Sequence, residues 1–254
     1  MAAQTTLDLN CDMGESYGAW KMGNDEAVLG YVSSANIACG FHGGDPSTLR
    51  KTVAAAIKQG VAIGAHPGFQ DLAGFGRRNM HISPQEAYDI TVYQVAAVAG
   101  VARSQGGRLH HVKAHGAFYN MAAKDAKLAR AMAQAVRDLD SDLIFYGLAG
   151  SAMIQQAQAL GLRVASEVFG DRSYQPDGTL TPRTQPDAMI TEVSKSVEQI
   201  LRMVREKVVI ATDGTRVPVQ PDTLCIHGDQ PNAVVFAEGI RKALQDAGIS
   251  VRTV

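Results

Sequence analysis

Asp8, Asn10 and Asp12 stand at alternate positions of the segment Leu7-Asp8-Leu9-Asn10-Cys11-Asp12. Alternate residues of a β-strand share a face, so these three polar groups would project together, with Leu7, Leu9 and Cys11 on the other side. The same spacing recurs at His111, Lys113 and His115, at Asn36 with His42 beyond it, at Glu167 and Asp171, and at Cys225, His227 and Asp229. Carboxylates in such positions can act as general bases or ligate a cation. Histidines can move protons or bind metal, and a lysine can neutralise developing negative charge. Isolated examples would fit ordinary half-exposed strands. Five such segments, each running into a Gly-, Pro- or Asp-containing loop, point to one inward-facing polar site at the C-terminal ends of parallel strands.

The loops carry further candidates. Asn36-Ile37-Ala38-Cys39-Gly40-Phe41-His42-Gly43-Gly44-Asp45 leads from a strand through a glycine-rich turn to a helix start. Such a turn can present backbone N–H groups to an anion, with Asn36, Gly40, His42 and Gly43 beside it; the glycines could equally serve only a tight turn. His66 falls at a strand end before Pro67-Gly68. Arg77 and Arg78, on a long following loop, could receive a carboxylate or phosphate or simply be solvated. Asp171 and Arg172 follow Glu167 just past the next strand. A buried Lys113 must meet an acid, meet a substrate anion, or lose its charge; a salt bridge to Asp8 or Asp12 is one expectation. Asp12 and Glu15 could instead cap a helix near Asn24. His42, His66, His115 and His227 with Asp12 could form a metal site, but no clustered cysteine spacing fixes one, so no metal ligand is assigned.

The elements that must hold these residues alternate regularly. Short apolar runs predict strands near 6–11, 34–39, 61–66, 109–115, 143–148, 163–169 and 223–227. Helical patterns lie at 46–60, 84–104, 124–139, 151–160, 186–207 and 231–247. Asp45-Pro46 and Ser83-Pro84-Gln85-Glu86 are helix-start signals, and Gly60 is a stop. Residues 208–222 read as a hairpin turning at Asp213-Gly214. Alternating β and α units imply a parallel sheet. An open sheet buries both faces and calls for continuously apolar strands, whereas these carry Asp, Asn, His, Lys and Glu. The reading is a seven-stranded parallel β/α barrel of TIM-like type, one domain over residues 1–254.

The composition bounds the function classes. The chain has 254 residues, 46% hydrophobic, with 24 basic and 25 acidic side chains. That balance supplies no electrostatic reason for a nucleic-acid or anionic-membrane partner and favours a small substrate. Three widely spaced cysteines, Cys11, Cys39 and Cys225, argue against a disulfide framework. The first residues lack a charged n-region and an apolar h-region, and no apolar run reaches membrane-spanning length, so a cytoplasmic location is expected.

Eight segments together resemble the LamB/YcsF family: DLNCDMGE at 8–15, ANIACGFHGGDP at 35–46, IGAHPGF at 63–69, FGRR at 75–78, VKAHGAFYN at 112–120, SEVFGDRSY at 166–174, LTPR at 180–183 and CIHGDQP at 225–231. The resemblance implies a barrel related to glycoside hydrolase and polysaccharide deacetylase barrels. It implies ATP-dependent hydrolytic opening of 5-oxo-L-proline to L-glutamate, in a complex with two further subunits. ATP would be a co-substrate, held here or by a partner. Combined with the residues above, it assigns catalysis to Asp8, Asp12, His66, Lys113, His115, Glu167 and His227. Substrate or phosphate binding falls to Asn10, Asn36, Gly40, His42, Gly43, Arg77, Arg78, Asp171, Arg172 and Asp229. Self-association and a divalent metal are left open. The competing expectations are a metal-dependent deacetylase or amidohydrolase acting on a sugar or small amide, and a small-molecule carrier.

Overall fold

The computed structural model describes residues 5–226 and 233–254. Six parallel strands follow in order: β1 (Thr6–Met13), β2 (Ser34–Ala38), β3 (Ala62–His66), β4 (Leu109–Lys113), β5 (Ile144–Leu148) and β6 (Arg163–Phe169). An antiparallel pair, β7 (Val208–Ile210) and β8 (Arg216–Pro218), lies outside this series, as the Asp213-Gly214 turn predicts. Strand β9 (Thr223–Ile226) then inserts between β6 and β1 and closes the barrel. Seven parallel strands therefore form the ring, as the sequence pattern predicts. A two-residue β10 (Ser250–Val251), not anticipated, pairs parallel to the start of β1.

The helices are α1 (Asp25–Leu29), α2 (Pro46–Gln59), α3 (Pro84–Ser104), α4 (Gly116–Lys124), α5 (Ala126–Leu139), α6 (Ala152–Ala159), α7 (Val193–Glu206) and α8 (Ala233–Asp246). Their ends follow local chemistry. The Asp45 carboxylate accepts from the N–H groups of Ser47 and Thr48, Pro46 takes the first turn, and Gly60 closes α2 at φ 68°. Ser83 and Glu86 form a reciprocal capping box on α3.

Three expected boundaries need correction. The strand expected at 109–115 ends at Lys113, and His115 becomes the N-cap of α4, a helix the pattern did not anticipate ahead of α5. Gly116, at φ 54°, makes that turn possible, and a Cβ there would lie 2.7 Å from the Gly76 carbonyl oxygen. The helix expected from 186 begins only at Val193. Residues 170–192 instead make an irregular excursion held by backbone bonds such as Ile190 N to Asp171 O.

Outward-facing Leu7, Leu9 and Cys11 are buried under the helices, so both faces of β1 are covered. The inner face is polar and buried, which a closed sheet permits only if its groups satisfy one another. Among the described residues no helix is long and apolar enough to cross a membrane.

Candidate active site

The barrel interior is built in tiers. In the deepest, Asp8 is 1% exposed. Its Oδ1 accepts from Ser33 (2.6 Å) and Ser34 (2.7 Å), and its Oδ2 from Thr223 (2.6 Å) and Tyr146 (3.0 Å). Four hydroxyl donors fully occupy this carboxylate, and it does not line the cavity above. Asp8 thus ties β1 to β2, β5 and β9, below the cavity rather than in its lining.

The next tier is an amide and ammonium network. Asn10 donates to Glu167 Oε1 (3.0 Å) and Thr223 Oγ1 (2.7 Å), and its Oδ1 accepts from Asn36 Nδ2 (2.7 Å) and Lys113 Nζ (3.1 Å). The Asn36 carbonyl oxygen faces His111 Nε2 at 2.8 Å. Lys113 Nζ lies 3.0 Å from Asp12 Oδ1, 2.7 Å from Glu167 Oε1 and 3.0 Å from Cys225 Sγ. Burial pulls the Lys113 pKa down, but Asp12, with Glu167, carries it well above the ordinary lysine value. The buried lysine is therefore a fixed cation. The expected salt bridge exists to Asp12 and Glu167, not to Asp8. Burial, the largest influence, pushes the Cys225 thiol well up, so it stays protonated beside the ammonium.

Asp12 opens the third tier. Its Oδ1 is held by Lys113 and by Asn36 Nδ2 (2.9 Å), and its Oδ2 lies 3.3 Å from His66 Nε2. Its side chain is 11% exposed at the floor of the cavity. His66 Nδ1 lies 2.7 Å from the Lys113 carbonyl oxygen, and His115 Nε2 lies 2.8 Å from that of Phe75. A carbonyl can only accept, so both of those nitrogens carry hydrogen. The other two, His66 Nε2 and His115 Nδ1, face each other at 3.0 Å. Glu15 Oε1 closes the group, 3.4 Å from His115 Nδ1 and 3.3 Å from His42 Nε2. Two lone pairs at that separation repel unless a proton or a cation lies between them. Burial, then neighbouring histidines, push the His42 and His115 pKa values well below the imidazole norm, so neither readily carries the extra proton. Glu15, His42, His66 and His115 each bring one ligand atom within 4.8 Å of the others and could hold a metal ion.

The glycine turn serves another purpose than its sequence suggests. Gly40 N–H donates to Gly43 O (2.9 Å) and Gly44 N–H to Glu15 O (3.4 Å), so both are spent within the fold. A Cβ on Gly43 would meet Glu15 O at 2.9 Å, and one on Gly44 would meet Gly14 O at 2.7 Å. These glycines let the loops after β1 and β2 touch and so deliver Glu15 and His42 to the cluster. Neither Gly40 nor Gly43 lines the cavity.

Above these tiers lies a cavity of about 910 Å³. Asp12, Glu15, His66, Lys113 and His115 line its floor, and Tyr119, Phe169 and Leu180 contribute to its wall. Arg77, Arg78, Lys124, Arg172 and Arg183 supply positive charge. Arg78 is already bonded to Asp71. Asp171 is buried beside Arg172. His227 and Asp229 lie outside the described residues. Sequence reasoning weighed Glu15 without keeping it as a site residue, and it did not select Cys225, Tyr119 or Arg183. Tyr119 carried a usable signal: it stands four residues after His115, one helical turn away on the same face.

The comparisons agree with this architecture. The LamB/YcsF family matches residues 7–254. A Bordetella pertussis protein, named as the A subunit of 5-oxoprolinase, is 71% identical over 246 residues, covering 97% of this chain and 98% of that one. The Bacillus subtilis protein of the same name is 55% identical over 248 residues, covering 98% and 96%. The crystal structure of a lactam utilization protein from Thermus thermophilus superposes with a TM-score of 0.92 at 47% identity, covering 98% of this chain and 100% of that one. With the matched motifs arrayed around one barrel mouth, the chain belongs to the LamB/YcsF family.

Proposed function

We propose that this chain, a single barrel domain, is the ring-opening hydrolytic subunit of an ATP-dependent 5-oxoprolinase that converts 5-oxo-L-proline to L-glutamate. The observation that carries the reading is Asp12: one oxygen is fixed by Lys113 and Asn36 while the other faces His66 at the cavity floor. High-identity relatives named for 5-oxoprolinase supply the substrate, and their naming as one subunit of it supports an assembly with partner chains. The cytoplasm is the compartment expected for this chemistry.

A five-membered lactam is a poor electrophile. Opening it requires a base for water, a countercharge for the developing oxyanion and an acid for the leaving nitrogen. Asp12 Oδ2 takes the proton from the attacking water. Lys113 holds Asp12 ionised and supplies positive charge beneath the reacting carbon. Asp12, once it holds that proton, can pass it through His66 Nε2, 3.3 Å away, toward the leaving nitrogen. Glu167 and Asn10 act one step away, fixing Lys113. Asp8 anchors the barrel and takes no part in proton transfer. The test is L-glutamate formation from 5-oxoproline and ATP in a host extract lacking only this chain. Purified wild-type protein restores it; absence of restoration by folded protein overturns the assignment.

The facing lone pairs of His66 and His115 favour a second reading, a metal-dependent amide hydrolase. Ligand separations of 3.0–3.4 Å within the Glu15–His cluster match the roughly 3.3 Å expected between tetrahedral ligands at metal distances of about 2.0–2.1 Å. The rings of His42 and His115 lie parallel with centroids 3.7 Å apart, so one ion could lie in the plane of only one of them. His66, His115 and Glu15 would hold it. A bound divalent ion would lower the pKa of a water molecule at the floor. Stoichiometric metal in the purified protein, with lactam or amide hydrolysis independent of ATP, would favour this reading over the first.

A further inference from the structure

His111 is fully buried and takes no part in the proton transfers derived for Asp12. It stands in one row of paired residues that crosses four strands. Asp12 of β1 pairs with Asn36 of β2, Asn36 with Gly64 of β3, and Gly64 with His111 of β4. A Cβ at position 64 would collide with His111 Nε2, so the glycine clears the path by which the imidazole reaches Asn36. The register between β3 and β4 shifts at the same point. It steps from Ile63–Leu109 to Gly64–His111, one residue on β3 and two on β4. Such a bulge re-aims side chains. Here the rings of adjacent His110 and His111 meet, Nδ1 to Nδ1 at 3.2 Å, and His111 stacks on Tyr146 with centroids 4.2 Å apart.

Charge at the ends of this network sets each donor and acceptor between them. Lys113 can only donate, so the Asn10 oxygen must face it, 3.1 Å away. An ionised Asp12 can only accept, so the Asn36 amide nitrogen must face Asp12 Oδ1 (2.9 Å). The second hydrogen of that nitrogen goes to Asn10 Oδ1 (2.7 Å). The Asn36 oxygen is left toward His111 Nε2 at 2.8 Å, so Nε2 carries hydrogen. Burial, then His110 and Lys113, push the His111 pKa well below the imidazole norm, so the ring is neutral and has one N–H to give. Its Nδ1 accepts from His110 Nδ1. Turned over, the Asn36 amide would set its oxygen against both the Asp12 carboxylate and the Asn10 oxygen, and its NH2 against the His111 N–H.

We infer that His111 is a positioning residue for ring opening: its Nε2–H holds the Asn36 amide in the orientation that donates to Asp12 Oδ1, and so keeps Asp12 Oδ2 turned toward the cavity. The inference rests on the ring-opening reading above, in which Asp12 takes the proton from water. His111 does not line the cavity, so it acts through Asn36 and not on the ligand. Preorganisation of this kind serves the chemical step and leaves ligand binding alone, because the aim of Asp12 matters only as water attacks.

Two measurements on the full chain test this. With isotope-labelled histidine, long-range proton–nitrogen correlation spectra should show His111 with hydrogen on Nε2 and none on Nδ1. Hydrogen on Nδ1 alone, or on both nitrogens, overturns the inference. The second measurement is glutamate formation from 5-oxoproline and ATP in an extract lacking this chain, with the added chain limiting the rate. His111→Phe keeps a ring to stack on Tyr146 but has no N–H. Its rate at saturating 5-oxoproline should fall about tenfold or more, with KM within about threefold of wild type. His111→Gln sets an amide N–H near the place of Nε2 and should recover most of the lost rate. A Phe variant at wild-type rate overturns the inference. So does a folded Gln variant as slow as the Phe variant, since packing of the ring and not its donor would then matter. Should His111→Phe fail to fold, the tautomer and the Gln rate decide. Wild-type protein that restores no glutamate formation sinks the ring-opening reading instead, and the tautomer shows separately whether the amide is held.

Discussion

At the scale of single residues, Asp12 and Lys113 form one unit with separable consequences. Asn at position 12 keeps the size and one hydrogen-bonding oxygen, and Lys113 retains Glu167 as its counterion. Asp12→Asn should therefore abolish glutamate formation in the reconstituted assay with little change in melting temperature; retained turnover would remove Asp12 as the base. Lys113→Met is different, because it strands two carboxylates around the inner tier. Removing one partner of a buried pair costs about 3–5 kcal/mol. Urea unfolding should register that loss along with loss of activity, and a variant of wild-type stability would mean that the Lys113 ion pairs add nothing to the fold. Asp12 was legible in the sequence as a strand-end carboxylate. The separate fate of Asp8, two residues before Asn10 on the same face, was not, because it depends on Ser33, Ser34, Tyr146 and Thr223 arriving from other parts of the chain.

At the scale of elements, the strand-to-helix junctions carry the site. Asp45 caps α2 and also accepts from the Gly18 N–H (2.9 Å), so it ties the loop after β1 to the helix after β2. Bonds from Thr48 and then Gly18 hold its pKa down to about 2, against an ordinary 3.8. The folded value is depressed, so the stabilisation is present above about 3.8 and disappears as pH falls through about 2. Asp45→Asn should flatten the acid limb of a stability-against-pH curve over that interval; an unchanged limb would mean that other carboxylates govern it. Gly44→Ala should disrupt the neighbouring contact. Its φ of 77° and the 2.7 Å approach to Gly14 O leave no room for a methyl group, and the positive φ alone costs about 1 kcal/mol or more. A lowered melting temperature together with reduced activity is the expected result, since Glu15 and His42 ride on the two loops that meet there.

At the scale of the whole molecule, closure of the barrel at β9 is the decisive event. Thr223 pairs with Asp8 of β1 and with Glu167 of β6, and its hydroxyl donates to Asp8 (2.6 Å) while accepting from Asn10 (2.7 Å). Thr223→Val keeps the shape but leaves a buried carboxylate oxygen and an amide short of a partner, at about 1–3 kcal/mol per group. Chemical unfolding should show a loss in that range without a change of fold, and no loss would mean that water takes the place of the hydroxyl.

Local sequence determined the number of barrel strands, their parallel alternation with helices, the caps at Asp45 and Ser83 and the inward face of β1 and β4. Each of these follows from period-two or helical patterning and from side chains acting on their own backbone. The motifs likewise identified the family. Only the tertiary structure decided which polar residues line the cavity and which are bonded within the frame. Asp8 and the N–H groups of Gly40 and Gly44 are bonded within the frame, and Arg78 is bonded to Asp71. Glu15 joined the histidines, and Arg172 was left with donors to spare. The physical reason is that a buried polar group takes its role from the partners around it, and in a closed barrel those partners come from strands more than a hundred residues apart, as Asn10 and Thr223 do.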